Sequence, residues 1–285
     1  MTAPAHAGPV LGDPHGSPAR RLARRWWFSL AMGLSIALVL GFLTLPVVAI
    51  FVNASPGRLL SSLGRSQSLQ ALRLSLETSA IAVAVIVLAG TPGAYLLATR
   101  RFRGHALVLT LIELPLVLPP AVAGIGLLAS LGPHGLLGGA LAAAHIQLVL
   151  QTAGVVVALA FVSAPLYLRQ AHAAFAAIER EHIEGALALG IRRPAVFLHI
   201  AVPIARPALL AGLALAWGRA LGEFGATLMF AGSFQDITQT IPLAIYDEFS
   251  SDFPAALALS ALLVVVSAAV LLTIKLLWTP SRPPI

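Results

Sequence analysis

The sequence predicts an all-α integral membrane protein with about six transmembrane helices. Of its 285 residues, 58% are hydrophobic and only 10% are charged, and its mean hydropathy is +0.91. A soluble domain of this length could not bury so much apolar side chain. The apolar residues also form runs long enough to cross about 30 Å of hydrocarbon, with short polar segments between them. Together these observations indicate a multi-pass helical protein.

The first apolar run extends from Trp26 to Val52. Residues 1–25, which precede it, are rich in Pro, Gly, Ala and Arg and are interpreted as a flexible cytoplasmic tail. A signal peptide is the competing interpretation of the run. Because the run is much longer than the roughly 7–15 residues of a signal core, we predict an uncleaved first span, with its outer loop, over residues 26–69.

The second and third apolar runs differ in regularity. The second extends from about Leu69 to Thr99, and Arg73 and Glu77 near its start are spaced for an ion pair one helical turn apart. The third extends from His105 to Leu131. Its prolines and glycines predict a kinked helix that only protein neighbours or a cavity would tolerate. These residues are Pro115, Pro119, Pro120, Gly124 and Gly126.

Three further apolar runs complete the set, namely Leu148–Leu168, Pro207–Ala231 and Phe253–Trp278. The connector before the first of them holds His134 and His145, with no carboxylate between them. Two histidines so far apart are poor evidence for a metal ion, and no metal site is predicted.

Basic residues are concentrated on one set of alternate connectors, which fixes the predicted orientation. That set contains Arg20, Arg21, Arg24, Arg25, Arg100, Arg101, Arg103, Arg169, Arg180, Arg192, Arg193, Arg206, Lys275 and Arg282. The opposite set contains only Arg58 and Arg65. We therefore predict a multi-pass protein of the cell (inner) membrane with both termini in the cytoplasm. The net charge of +7 follows this membrane pattern, so lipid rather than nucleic acid is its expected surrounding.

Composition also excludes several activities. The chain has no cysteine, so disulfides and thiolate metal sites are impossible. Its only lysine, Lys275, follows no glycine-rich loop, so no Walker A phosphate site is present. No nucleophile–base pair or metal-ligand set appears within the spans, and no catalytic residue is predicted. We expect no cofactor on this chain, and any driving ATP would bind to a partner.

A charged segment at residues 178–207 stands between two apolar runs, and its pattern predicts helix, break, helix. Gly190 is placed to end the first helix in the left-handed conformation, and Pro194 suits the first turn of the second. The apolar positions of the first helix are Ile183, Ala186, Leu187 and Leu189, with Glu181 and Glu184 opposite.

The order Glu184-Gly185-Ala186, Gly190, Ile200, Pro203 and Pro207 resembles the EAA loop of permease subunits of ABC importers. In that family the loop forms a cytoplasmic coupling helix that docks into a separate ATP-hydrolysing subunit. The resemblance implies that the docking residues here are Glu184, Gly185, Ala186, Gly190, Arg192, Arg193 and Pro203.

The fifth run places Gly218, Gly222 and Gly225 close to one predicted helix face, which favours close helix contacts or a narrow passage. Arg219 and Glu223 are spaced to pair within the membrane. They form either a structural ion pair or part of an anion conduit, and Glu113 either lines that conduit or caps backbone groups near Pro115. The candidate pathway residues are Arg219, Gly222, Glu223, Gly225, Thr227 and Glu113.

The last outer segment, Gly232–Asp252, is acidic and contains neither Lys nor Arg. An anion would not be attracted to such a surface, which suits either docking of a soluble delivery protein or a solvated loop. The candidate docking residues are Asp236, Thr238, Gln239, Asp247 and Glu248.

Three stretches, Arg219–Gly232, Thr238–Tyr246 and Leu114–Pro120, resemble the molybdate/tungstate permease branch of this family. The resemblance implies a type I ABC importer permease fold over residues 70–278, followed by a C-terminal tail at 279–285. It also implies a homodimer, two ATPase subunits that bind ATP and Mg²⁺, and a periplasmic oxyanion-binding protein.

Three alternatives remain at this point. Sulfate permeases share parts of the same motifs, so the substrate could be sulfate or thiosulfate, or tungstate, in place of molybdate. A secondary transporter or channel working without ATP would instead use the intramembrane charges Glu113, Arg219 and Glu223 as an ion path. A membrane enzyme has no support from the residue pattern.

Overall fold

The computed structural model describes residues 18–54 and 66–277, together with Gly57 and Gly64. All regular structure within these residues is helical, as predicted. The chain divides into two units at Val52. The first unit is formed by helix α1, Pro18–Asn53. It begins before the predicted start at Trp26, so residues 18–25 are helical rather than part of a tail, while residues 1–17 and the tail at 279–285 lie outside the described residues.

The second unit contains the remaining helices of the described chain. They are α2 (Ser66–Thr99), α3 (His105–Val117), α4 (Pro120–Leu131), α5 (Gly138–Ala143), α6 (Thr152–Ala176), α7 (Arg180–Ala188), α8 (Arg193–Val196), α9 (Val202–Leu221), α10 (Gly225–Ala231), α11 (Ile241–Ser251) and α12 (Phe253–Leu277). A π-helical turn, Phe197–Ala201, joins α8 to α9 without a gap.

Five helical segments of the described chain are long and apolar enough to cross a membrane: Trp26–Asn53, Ser66–Thr99, Thr152–Ala176, Arg193–Leu221 and Phe253–Leu276. The pair α3 and α4 adds a sixth if it forms one broken span. The two helices are bent by 117° at Leu118 and Pro119, where the backbone is extended. The predicted kink in the third run is therefore confirmed.

The fifth span differs from its prediction at both ends. It begins at Arg193 rather than Pro207, because α8, the π turn and α9 run on continuously. It ends at Leu221, and the predicted continuation to Ala231 is a separate short helix, α10. Apolar periodicity runs through both helices, so the sequence pattern gave no sign of the break.

The core of the second unit lies among α2, α6 and α9. Alanines that are completely buried line these contacts, including Ala94, Ala171 and Ala216, and they let the helix backbones approach closely. Larger side chains fill the space towards the charged segment. There Tyr95 packs edge-on against Phe175, with ring centroids 5.4 Å apart.

Candidate functional site

The charged segment forms the predicted helix, break and helix. Helix α7 ends in a left-handed turn at Gly190, whose φ is +82°. The Ile191 N–H donates to the Ala186 carbonyl at 3.2 Å, and the Gly190 N–H donates to the Leu187 carbonyl at 3.0 Å. These paired bonds are the Schellman arrangement, which satisfies the last carbonyls of a helix and favours glycine at the left-handed position. The turn at Gly190 is therefore dictated by local sequence.

Helix α7 presents a polar face to solvent. Ala186 is buried, while Glu184 and Gly185 are exposed, and a Cβ added to Gly185 would meet nothing within 4 Å. Leu189 was predicted to lie on the apolar face of this helix, and this prediction is wrong. Leu189 lies just beyond the helix end and is 83% exposed, so an apolar side chain stands in water beside the turn.

We call the exposed residues of this segment the loop surface: Glu184, Gly185, Leu189, Arg192 and Arg193. Leu189 was not predicted as a docking residue, although an apolar residue immediately before a helix-ending glycine was a usable signal. Arg192 is the N-cap residue of α8, and Arg193 is its first residue. Pro203 is exposed in the first turn of α9, which follows directly on the π turn.

The segment that carries the loop surface packs against the core. Val196 is 1% exposed, and the ring of Phe197 lies 4.9 Å from that of Tyr95 on α2. The second helix of the loop was predicted to be separate, but it continues into α9 through the π turn. The segment that carries the loop surface therefore contacts α2 through aromatic rings and continues into α9 through the backbone.

Arg219 and Glu223 form the predicted ion pair, although on a different backbone from the one predicted. Arg219 Nη2 lies 2.6 Å from Glu223 Oε2, and the two side chains are 32% and 1% exposed. Helix α9 ends between them, at Leu221. The other carboxylate oxygen, Glu223 Oε1, accepts the backbone N–H of Ala226 at 2.7 Å. Glu223 thus joins the last turn of α9 to the first turn of α10.

Close glycine contacts hold α10 against the bent pair. A Cβ on Gly225 would lie 2.9 Å from Pro120, and one on Gly124 would lie 2.7 Å from the Ala226 carbonyl. On α9, by contrast, the nearest neighbour of a Cβ on Gly218 would be Leu271, at 3.8 Å. The predicted single glycine face is therefore wrong, because the helix ends before Gly222 and the glycines serve different contacts.

The predicted pathway residues do not all come together. Gly222 is exposed at the helix end beside the ion pair, whereas Thr227 is completely buried in α10. Thr227 therefore lines no open passage in this conformation. Glu113 is exposed on α3 and borders a different, small cavity of about 50 Å³ with Arg169 and His172. Only Arg219, Gly222, Glu223 and Gly225 form one site, which we call the helix-break site.

The outer segment contains two mistaken docking candidates. Thr238 and Gln239 are 0% and 4% exposed, so a docking protein could not reach them. The Thr238 hydroxyl accepts the Phe234 N–H at 2.9 Å, and the Gln239 amide donates to Asp247 at 2.6 Å. Both side chains hold the segment together from within. Their polarity suggested exposure, but internal hydrogen bonds allow their burial.

The other three outer candidates remain accessible. Asp236 is exposed with a left-handed backbone, φ +67°, while Asp247 is exposed and Glu248 is half-buried. Helix α11 is anchored to α2 because the Ser75 hydroxyl accepts the Ile241 N–H at 2.8 Å. Within the described residues, no three His, Asp or Glu side chains are grouped to hold a metal ion.

Comparison with known families decides what kind of protein this is. Residues 90–278 match the family described as binding-protein-dependent transport system inner membrane component. The chain belongs to this family. It is therefore a multi-pass permease component of the inner membrane rather than an enzyme, and ATP hydrolysis in such importers belongs to a separate subunit.

Two permeases are similar to this chain over most of its length. The molybdenum transport system permease protein ModB of Mycobacterium tuberculosis is 42% identical over 231 residues, which cover 81% of this chain and 88% of that protein. The sulfate transport system permease protein CysT of Salmonella typhimurium is 32% identical over 254 residues, covering 88% and 92%.

The fold matches that of a bacterial alginate ABC transporter, solved in complex with a periplasmic protein that carries an alginate pentasaccharide. The TM-score is 0.72 at 17% identity, and the match covers 92% of this chain and 97% of that one. This likeness confirms the type I permease fold. Permeases of this kind work with an ATPase and a periplasmic binding protein.

Proposed function

We propose that this permease carries a tetrahedral oxyanion, molybdate, across the inner membrane in an importer driven by ATP. The observation that carries the substrate assignment is the 42% identity to a molybdenum permease over 81% of the chain. Sulfate is the second candidate, because a sulfate permease matches at 32% identity over 88% of the chain. Tungstate has the same charge and tetrahedral shape as molybdate and belongs in the same test.

The assembly we propose is a homodimer of this permease with two ATPase subunits below it and a periplasmic oxyanion-binding protein above it. ATP and Mg²⁺ bind to the ATPase subunits. In this proposal both termini and the loop surface lie in the cytoplasm, because the connectors on that side hold fourteen basic residues and those on the opposite side hold only Arg58 and Arg65. Asp236, Asp247 and Glu248 then lie on the outer side, where the binding protein would dock.

The loop surface is proposed to transmit the nucleotide cycle to the spans. Glu184 and Leu189 project from the end of α7 towards solvent, where they can enter a groove on the ATPase. Arg192 and Arg193 add positive charge that helps to seat the loop. Closure of the ATPase pair would displace α7, and the aromatic contacts around Tyr95 together with the continuous α8–α9 backbone would pass this motion to the core.

The helix-break site is proposed to face the anion during transport. Arg219 remains one-third exposed although its partner Glu223 is buried, so the guanidinium keeps donors available to a ligand. A guanidinium fork suits the oxygen geometry of tetrahedral oxyanions. Glu223 holds the Arg219 side chain in place and partly neutralises its positive charge. An anion could then bind to Arg219 and still be released.

The decisive experiment is uptake of labelled molybdate into vesicles that contain the permease and its ATPase, with the binding protein supplied outside. Uptake that requires ATP and is competed by tungstate supports the proposal, whereas preferential competition by sulfate would move the assignment to sulfate. Accumulation by the permease alone, without ATPase, would instead establish a gradient-driven carrier or channel.

The coupling role is tested in the same vesicles with Glu184→Ala. We expect the variant to insert and assemble, but to hydrolyse ATP with little uptake. Glu77→Ala removes an exposed carboxylate that lies outside the loop surface and the docking candidates; it is the matched control, for which the ratio of uptake to ATP hydrolysis should stay unchanged. An unchanged ratio in Glu184→Ala would argue against the coupling role.

A further inference from the structure

An apolar groove with a cationic end lies between α9 and α12, away from the loop surface and the helix-break site. Its volume is about 320 Å³, and its lining comes only from these two helices. The small side chains of Ala211 and Ala214 form the depression on α9. The opposite side is formed by Leu271, Ile274 and Lys275. The volume lies within the range of small-ligand sites, roughly 300–1,000 Å³.

The antiparallel arrangement of α9 and α12 places two basic residues at one end of the groove. Gly218, near the end of α9, faces Leu271, whereas Lys275, in the last turn of α12, and Leu210, in the first half of α9, both line the groove. Arg206 precedes Leu210 by four residues and so lies on the same helix face, one turn further towards that end. Arg206 and Lys275 are both exposed.

No acidic residue opposes these charges from within either helix. The sequences of α9 and α12 contain neither Asp nor Glu, so neither helix supplies a carboxylate to Arg206 or Lys275. The apolar floor is well formed, since Ala214 and Ile274 are only 8% and 4% exposed. A ligand that fits has a hydrocarbon part for the floor and a negative head for the basic end.

We propose that this groove binds one anionic phospholipid of the inner leaflet, with an acyl chain over Ala211 and Ala214 and its phosphate at Lys275 and Arg206. Both basic residues belong to the cytoplasmic set, so the headgroup lies at the inner interface. Basic pockets between transmembrane helices on that side suit anionic headgroups. Lysine suits this position because its aliphatic stem packs on the groove while the ammonium reaches the interface.

The test is lipid retention by the purified importer, permease with its ATPase, measured by native mass spectrometry. Dioleoyl phosphatidylglycerol and dioleoyl phosphatidylcholine are the two probes, titrated after removal of native lipid. We expect tighter binding of phosphatidylglycerol, weakened about fivefold by Lys275→Gln and by a similar further factor when Arg206→Gln is added. Arg103→Gln removes a basic side chain from a connector on the same membrane side and should leave binding unchanged.

A second arm fills the groove. Ala211→Phe should reduce binding of both lipids, whereas Leu272→Phe, at an exposed position of α12 outside the groove, should not. Equal binding of the two lipids, or loss only with charge removal and not with Ala211→Phe, would overturn the proposal. Separation of two permease copies in Ala211→Phe would also overturn it, since a second copy would then cover the groove. Lys275→Gln alters only an exposed side chain. If Ala211→Phe does not assemble, the loss of phosphatidylglycerol binding in Lys275→Gln tests the proposal alone.

Discussion

Glu223 is bound at both of its oxygens, and the two contacts are on opposite sides of a helix break. One oxygen lies 2.6 Å from Arg219 Nη2 in the last turn of α9, and the other accepts the Ala226 N–H at 2.7 Å in the first turn of α10. A single buried carboxylate therefore fixes the angle between two helices. Gly222 between them contributes no side chain that could do so.

Glu223→Gln should destabilise the permease strongly. The amide oxygen can still accept the Ala226 N–H, but the one-third exposed Arg219 loses its counterion, at a cost of about 1.5–3 kcal/mol for a hydrogen bond between charged groups. Glu77→Gln is the matched control, because the Arg73–Glu77 pair has the same spacing but is 79% and 53% exposed, and we expect a much smaller loss of stability. Thermal unfolding of the purified permease measures both. Equal shifts in the unfolding temperature of the two variants would mean that the buried pair contributes no more to stability than the exposed pair.

Substitutions at Arg219 separate transport from structure. Arg219→Ala should lower uptake about tenfold or more, because a charged hydrogen-bond donor to the anion is lost. It should also destabilise the permease, because the buried Glu223 carboxylate loses its counterion. Arg219→Lys should retain part of the rate, since the charge remains without the planar fork. The double variant Arg219→Gln with Glu223→Gln removes both charges and should recover stability but not uptake. Transport by the double variant at the original rate would assign the pair a structural role alone.

Gly185 within α7 and Gly190 just beyond its end should respond to alanine in opposite directions. Gly190→Ala places a Cβ in the left-handed region, at a cost of about 1–2 kcal/mol, and should lower uptake per ATP hydrolysed by loosening the turn. Gly185 lies in the helical part of α7 with open space around it, so Gly185→Ala should stabilise α7 by about 0.5–1 kcal/mol. Thermal unfolding and the uptake-to-hydrolysis ratio are measured for both. A stabilised Gly190→Ala variant would contradict the turn assignment.

The absence of native cysteine allows the orientation to be mapped with single-cysteine variants. Leu189→Cys and Asp236→Cys place thiols at exposed positions. A membrane-impermeant maleimide should label Asp236→Cys in cells whose outer membrane has been made permeable, and Leu189→Cys only after the inner membrane is opened. Thr227→Cys is the buried control and should be unlabelled in both conditions. The reverse pattern would place the loop surface outside.

The outer segment offers a contrast between internal and external polar groups. Gln239→Leu removes the amide that donates to Asp247 and should destabilise the permease by about 1–3 kcal/mol, with little change in affinity for the binding protein. Asp236→Lys reverses an exposed charge and should alter that affinity without affecting stability. Binding assays with the delivery protein and thermal unfolding distinguish the two. A large affinity loss confined to Gln239→Leu would restore Gln239 as a docking residue.

The parts of the structure that were predictable depend on local chemistry. Gly190 and Pro194 specify the loop because a left-handed turn and a helix start each have strong residue preferences. Pro119 specifies the bend between α3 and α4 in the same way. Runs of apolar residues were sufficient to locate the spans but not their ends, since the fifth span begins before Pro207 and ends before Ala231.

The parts that were missed depend on contacts between distant segments. The break after Leu221 is stabilised by Glu223 and by the approach of Pro120 to Gly225, and neither contact is visible in the periodicity of one run. Gln239 was expected in water because it is polar; one of its partners, Asp247, lies in the same segment, but the other, Gln67, lies 172 positions away in the sequence. Reading residues one segment at a time cannot reveal such pairs.

The 117° bend between α3 and α4 determines on which side of the membrane each later connector lies. At 13 and 12 residues, each helix is about two-thirds of the length needed to reach the far leaflet alone. If the pair returned to its starting side, every later connector would be inverted, and Arg192 and Arg193 would face outward against the positive-inside bias. We therefore expect the pair to complete one traverse together. Pro119, far from the loop surface along the chain, thereby decides which compartment the loop meets.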